Sequence, residues 1–73
     1  MDVATTLPAL QFYTANYLGE GPRGKEGAIY GPRHAFCLET QMFPDSVNHP
    51  EFPSVILRPG CFYDHTSVFT FRL

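Results

Sequence analysis

The stretch His34-Ala35-Phe36-Cys37-Leu38-Glu39-Thr40-Gln41-Met42-Phe43-Pro44-Asp45 decides how this chain folds. It is a largely apolar run with a single acid, Glu39, near its middle. Read with period two, Phe36, Leu38 and Thr40 fall on one face of a strand, and Ala35, Cys37, Glu39 and Gln41 fall on the other. The carboxylate therefore sits mid-strand. A charge there is costly to bury unless a cleft solvates it or hydrogen bonds satisfy it, which makes Glu39 the first candidate for chemistry. By spacing alone, a half-exposed strand with Glu39 in solvent is the simpler account, because single carboxylates are common on strand surfaces.

The flanks of this strand are also β-like. Seven prolines and six glycines punctuate the chain, and the segments between them are rich in Val, Ile, Phe, Tyr and Thr, so long helices are excluded and the expected class is all-β with antiparallel strands. On the N-terminal side, Val3 to Thr14 reads as a strand or strand pair kinked near Pro8, with Leu10 and Phe12 on one face and Gln11 and Tyr13 on the other. Gln11 is the polar counterpart of Glu39. Leu18 to Gly27 reads as a surface loop because it concentrates glycine, proline and charge. A short Ala28-Ile29-Tyr30 segment and a turn at Gly31-Pro32 lead into the Glu39 strand.

On the C-terminal side, Phe43 to Pro53 reads as a second loop carrying Asp45, Ser46, Asn48 and His49, whose side chains suit Asx-type bonds that pin a loop. Beyond it a hairpin is expected. Ser54 to Leu57 forms one strand, Pro59-Gly60 supplies a type II turn, and Phe62 to Leu73 returns with Ser67, Phe69, Phe71 and Leu73 on one face.

Composition limits what the chain can do. Its 73 residues make at most one domain, spanning 1–73, and a chain so short buries only about 60 per cent of its unfolded surface. Hydrophobic residues are 44% and charged residues only 16%, an apolar content wrapped in an unusually thin charged shell. The formal net charge of −2 and the lack of a Lys/Arg cluster argue against nucleic-acid binding. No apolar run approaches a membrane span, so no membrane partner is expected, and Met1 to Thr6 lack the basic and apolar regions of a secretion signal. Two widely spaced cysteines, Cys37 and Cys61, form no Cys-x-x-Cys pair and suit reduced thiols in a cytoplasmic setting. The spacing of His34, His49 and His65 matches no usual zinc pattern, and no metal is expected. The glycines from Gly19 to Gly27 lack the Gly-Lys-Ser/Thr ending of a phosphate loop.

Several blocks carry a more specific signal: Thr5-Thr6-Leu7-Pro8; Gln11-Phe12-Tyr13-Thr14-x-Asn16; Phe36-Cys37-Leu38-Glu39-Thr40-Gln41; Phe43-Pro44-Asp45-Ser46-Val47-Asn48-His49-Pro50; and Leu57-Arg58-Pro59-Gly60 followed by Tyr63-Asp64-His65-Thr66. In this order and spacing they closely resemble the C-terminal part of the aldose 1-epimerases, and the resemblance covers essentially the whole chain. It implies a galactose mutarotase-type β-sandwich of which these residues form only a portion, the larger part of such a domain lying outside them.

The resemblance also implies a mechanism. Glu39, in the family's Glu-Thr-Gln motif, is the general base that takes the proton from the anomeric hydroxyl of a hexose such as galactose or glucose, while an acid protonates the ring oxygen. The ring opens to the aldehyde and recloses from the other face, interconverting α and β anomers without cofactor or metal. Gln11, from the Gln-Phe-Tyr-Thr block, binds the sugar through an amide that donates and accepts. The family's general acid is a histidine of an earlier segment, and His34, His49 and His65 do not match it. The fragment alone is therefore expected to be inactive and to need the missing N-terminal part of the domain. Two positions depart from the family pattern: Ala9 stands where glycine is usual, and Cys61 where an acid is common. Tyr63, Asp64 and His65 read as structural. The competing account is a non-catalytic remnant, either a weak carbohydrate-binding module or a β-rich piece that adds its edge strands to another chain.

Overall fold

A computed structural model describes residues 1–19 and 21–73, so Glu20 of the expected loop lies outside the described residues. The fold is all-β, with antiparallel strands: β1 (Asp2–Thr5), β2 (Ala9–Tyr13), β3 (Cys37–Gln41) and β4 (Ser67–Thr70). Single 3-10 turns at Lys25–Gly27 and Ser46–Asn48 are the helical elements among the described residues. The strands form two two-stranded sheets, β1 with β4 and β2 with β3.

Pairing departs from the sequence expectation in two ways. Val3 to Thr14 takes the strand-pair alternative, breaking after Thr5, but its halves join different sheets and not each other. The hairpin is absent. Ser54 to Leu57 forms no strand, and the returning segment is a strand only over Ser67–Thr70, where it pairs with β1 instead. The Pro59-Gly60 turn is present, with Cys61 N–H donating to the Arg58 carbonyl at 3.1 Å and Gly60 at φ +82°. That left-handed value is what a type II turn asks of its third residue, and glycine adopts it freely.

A run of hydroxyl residues reinforces the pairing of β4 with β1. Beyond the ladder from Asp2↔Thr70 to Thr5↔Ser67, the pairing continues one step further. Thr6 N–H donates to the Thr66 carbonyl (3.1 Å), and Thr66 N–H donates to Thr6 Oγ1 (3.1 Å). His65 Nδ1 adds a contact to Thr6 Oγ1 at 3.1 Å. Ser67 then ties the sheets together, its Oγ lying 3.0 Å from Thr5 Oγ1 and 2.8 Å from Thr40 Oγ1 of β3. Val3, Thr5, Leu38 and Thr40 are accordingly half-buried, whereas Ala4 between the first two is exposed.

The core is nearly empty. Ala15 is the one buried hydrophobic residue among those described, at 3% exposure. It sits at φ +59° and its carbonyl accepts from both Leu18 N–H (3.3 Å) and Arg33 N–H (3.1 Å), which closes the loop leading away from β2. Gly24 is held close to Tyr30, whose ring would lie 2.1 Å from any Cβ placed there. The total accessible surface is 6481 Å², against about 4,500 Å² for a compact monomer of this mass. The radius of gyration is 16.7 Å, against about 11 Å for a compact chain of this length. Phe62 (94% exposed), Phe71 (77%) and Ile56 (61%) stand open to solvent.

Candidate functional site

The candidate site is the strand pair β2–β3, whose register is Ala9↔Gln41, Leu10↔Thr40, Gln11↔Glu39, Phe12↔Leu38 and Tyr13↔Cys37. Side chains alternate across a sheet, and directly opposed residues share a face. One face therefore carries Ala9, Gln11, Tyr13, Cys37, Glu39 and Gln41, and the other carries Leu10, Phe12, Leu38 and Thr40. This segregation is the one expected from the period-two reading of each strand separately.

The register adds something neither strand shows alone. Gln11 and Glu39, 28 residues apart in sequence, are direct cross-strand partners, which places their Cβ atoms about 4.5–5.5 Å apart. An amide and a carboxylate at that separation reach neighbouring oxygens of one small polyhydroxylated molecule. Both residues are exposed, so the Glu39 carboxylate is open to ligand and to solvent. Gln11 Nε2 donates to the Phe12 carbonyl at 3.2 Å, which leaves its Oε1 free to accept. On the same face the Tyr13 hydroxyl accepts from Tyr17 N–H at 3.1 Å and so anchors the loop beyond β2. On the opposite face Phe12 meets Phe36 edge-on, with ring centroids 6.3 Å apart, which stiffens the strand pair from behind.

None of the three histidines lies on this strand pair, and each is occupied elsewhere. His34 Nδ1 accepts from Gly31 N–H at 3.0 Å. His65 contacts Thr6 and stands edge-on to Tyr63, with centroids 4.8 Å apart. His49 is held between Asp45 (Nε2 to Oδ2, 3.2 Å) and Glu51 (Nδ1 to Oε1, 3.2 Å) and stacks on Phe52 at 4.9 Å. Asp45, at φ +59°, also accepts from the Asn48 side-chain amide and from Asn48 N–H. Asp45, Asn48 and His49 thus pin the Phe43 to Pro53 loop through side-chain bonds, as their residue types suggest.

The two departures in the sequence leave the strand pair undisturbed. Ala9 opens β2 without a left-handed φ, so its methyl group carries no backbone strain there. Cys61 is exposed and, like Cys37, a free thiol. Among the described residues no helix is long and apolar enough to cross a membrane.

Residues 1–70 match the family profile described as aldose 1-epimerase. The chain is 55% identical over 73 residues to galactose mutarotase of Homo sapiens and 54% identical over the same length to that of Bos taurus. In each case the match takes in all of this chain and 21% of the relative. It is also 45% identical over 74 residues to aldose 1-epimerase of Escherichia coli (strain K12), covering 97% of this chain and 21% of that protein. The chain thus spans about a fifth of the length of the curated relatives it matches.

Proposed function

The chain belongs to the aldose 1-epimerase family, and we propose that it contributes the general base, Glu39, to a sugar mutarotase that interconverts the α and β anomers of hexoses such as galactose and glucose. The observation that carries this reading is the Gln11↔Glu39 pairing. A carboxylate and a neutral amide stand side by side on an accessible face of one strand pair, an arrangement that suits proton abstraction from one sugar hydroxyl while a neighbouring hydroxyl is held.

In the proposed step Glu39 accepts the proton of the anomeric hydroxyl while an acid delivers a proton to the ring oxygen. The bond between the anomeric carbon and that oxygen breaks, and the open aldehyde forms. Rotation about the adjoining carbon–carbon bond presents the other face, and the two proton transfers then run in reverse as the ring closes. No atom is gained or lost, no electron is exchanged with another molecule, and only the configuration at the anomeric carbon is inverted. Gln11 contributes the neutral contacts of its amide to a sugar hydroxyl. The resemblance implies that the acid is a histidine of an earlier segment, and His34, His49 and His65 make their contacts away from the strand pair. The same supply of missing groups covers the apolar side chains left open here, so the chain works as one portion of a larger β-sandwich. A cytoplasmic setting goes with this reading, since Cys37 and Cys61 are both free thiols.

The test joins this chain to the rest of Homo sapiens galactose mutarotase in place of its matching segment, at 55% identity. Polarimetry of freshly dissolved α-D-galactose should show accelerated mutarotation, and Glu39→Gln in the same folded protein should remove it. Turnover that survives Glu39→Gln would overturn the assignment of the base.

A further inference from the structure

The face that presents Gln11 and Glu39 carries a third strong polar side chain that the mechanism leaves unused. Gln41 lies on that face of β3, two residues beyond Glu39 and opposite Ala9. The alternatives on the face are otherwise committed or weak. The Tyr13 hydroxyl already accepts from Tyr17 N–H, Cys37 offers only a thiol, and Ala9 has no polar atom. Among the described residues no side-chain hydrogen bond engages Gln41, although it is half-buried. An amide with two donors and two lone pairs loses free energy when it is further covered without a partner. Ala9, its cross-strand partner, is the smallest side chain on this face.

The distances suit one sugar ring. Along a strand two residues advance by about 6.6 Å, whereas the cross-strand step from Glu39 to Gln11 is about 4.5–5.5 Å. The three polar groups thus mark the corners of an L with arms of hexopyranose dimensions, Glu39 at its corner. With the anomeric hydroxyl at Glu39, Gln41 faces the part of the ring remote from the anomeric carbon.

We propose that Gln41 is a substrate-contacting residue that reads a ring hydroxyl distant from the anomeric centre and so sets sugar preference. This rests on the assignment of Glu39 as base. The experiment uses the same joined protein with Gln41→Ala and Gln41→Glu, assayed on galactose and on its 3-deoxy, 4-deoxy and 6-deoxy analogues. Expected for Gln41→Ala is a KM for galactose raised about three- to tenfold with kcat within about twofold, the loss of one neutral hydrogen bond. One deoxy sugar should show no further loss in the variant although it is disfavoured by the parent, which identifies the hydroxyl. Gln41→Glu, which keeps an acceptor at the same reach, should recover part of the discrimination. If Gln41→Ala slows or weakens all four sugars alike, or leaves all four unchanged, while Glu39→Gln abolishes turnover, the inference about Gln41 fails and the base assignment stands. If Glu39→Gln retains turnover, the base assignment has failed instead.

Discussion

Isolating this chain from any covering layer should cost it the conformation described here. The accessible surface exceeds that of a compact monomer of the same mass by about 2,000 Å², starting from the observed 6481 Å². If a little over half of that excess is apolar, as on ordinary protein surfaces, about 1,100 Å² of apolar area is left in water. At about 25 cal/mol per Å² this withholds on the order of 25 kcal/mol of burial free energy, an upper bound because unfolded chains already bury some surface. The withheld amount exceeds the net stability of a typical domain, about 5–15 kcal/mol. Two pairs of short strands joined at Ser67, with Ala15 as the lone buried apolar residue among those described, do not make up such a difference. The purified 73-residue chain should therefore exchange its backbone amides rapidly, or associate. The excess lies on this chain alone and is well above the roughly 800 Å² that each partner buries in a standard protein interface. Adding the rest of Homo sapiens galactose mutarotase as a separate polypeptide should accordingly protect the amides of β1 to β4. Sedimentation with hydrogen exchange measures both. A monodisperse monomer whose strand amides are strongly protected without a partner would refute the surface argument.

Other outcomes follow from particular residues, each measured in the joined protein shown to be folded by circular dichroism. Glu39→Gln should lower turnover at least about a hundredfold with KM within a few-fold, since an amide keeps shape but accepts no proton; steady-state polarimetry decides, and near-parent turnover counts against the base. Gln11→Ala should instead raise KM by about two- to tenfold, the worth of a neutral hydrogen bond, with kcat less affected. Ala15→Val should destabilise by about 2 kcal/mol or more, because a β-branched side chain is forced both into a left-handed φ and into a closed site; an unchanged denaturation midpoint would contradict this. Ser67→Ala, which removes the hydroxyl contacts to Thr5 and Thr40, should cost about 1 kcal/mol in the same measurement.

The amino-acid sequence by itself determined what each segment is suited to be. Alternation along Phe36 to Gln41 and along Leu10 to Tyr13 was enough to assign the faces, because side chains on a pleated strand alternate whatever the partner. The Pro59-Gly60 turn was legible for a similar local reason, since only a residue tolerant of positive φ fits its third position. The roles proposed for Glu39 and Gln11 rest on the resemblance of the blocks around them, and spacing alone left Glu39 as an ordinary exposed acid. Pairing was decided elsewhere. Ser54 to Leu57 has the composition of a strand and a turn beside it, yet no strand lies against it, while Ser67–Thr70 pairs with residues 62 or more positions away. β-propensity reports fitness for a pleated, half-covered surface and says nothing about which strand supplies the neighbour. That choice fell to contacts distant in sequence: the Thr6–Thr66 exchange, the Ser67 bridge, and the register that sets Gln11 opposite Glu39. Only the folded chain brings those groups together, because their proximity is a property of the ladder and not of any one segment.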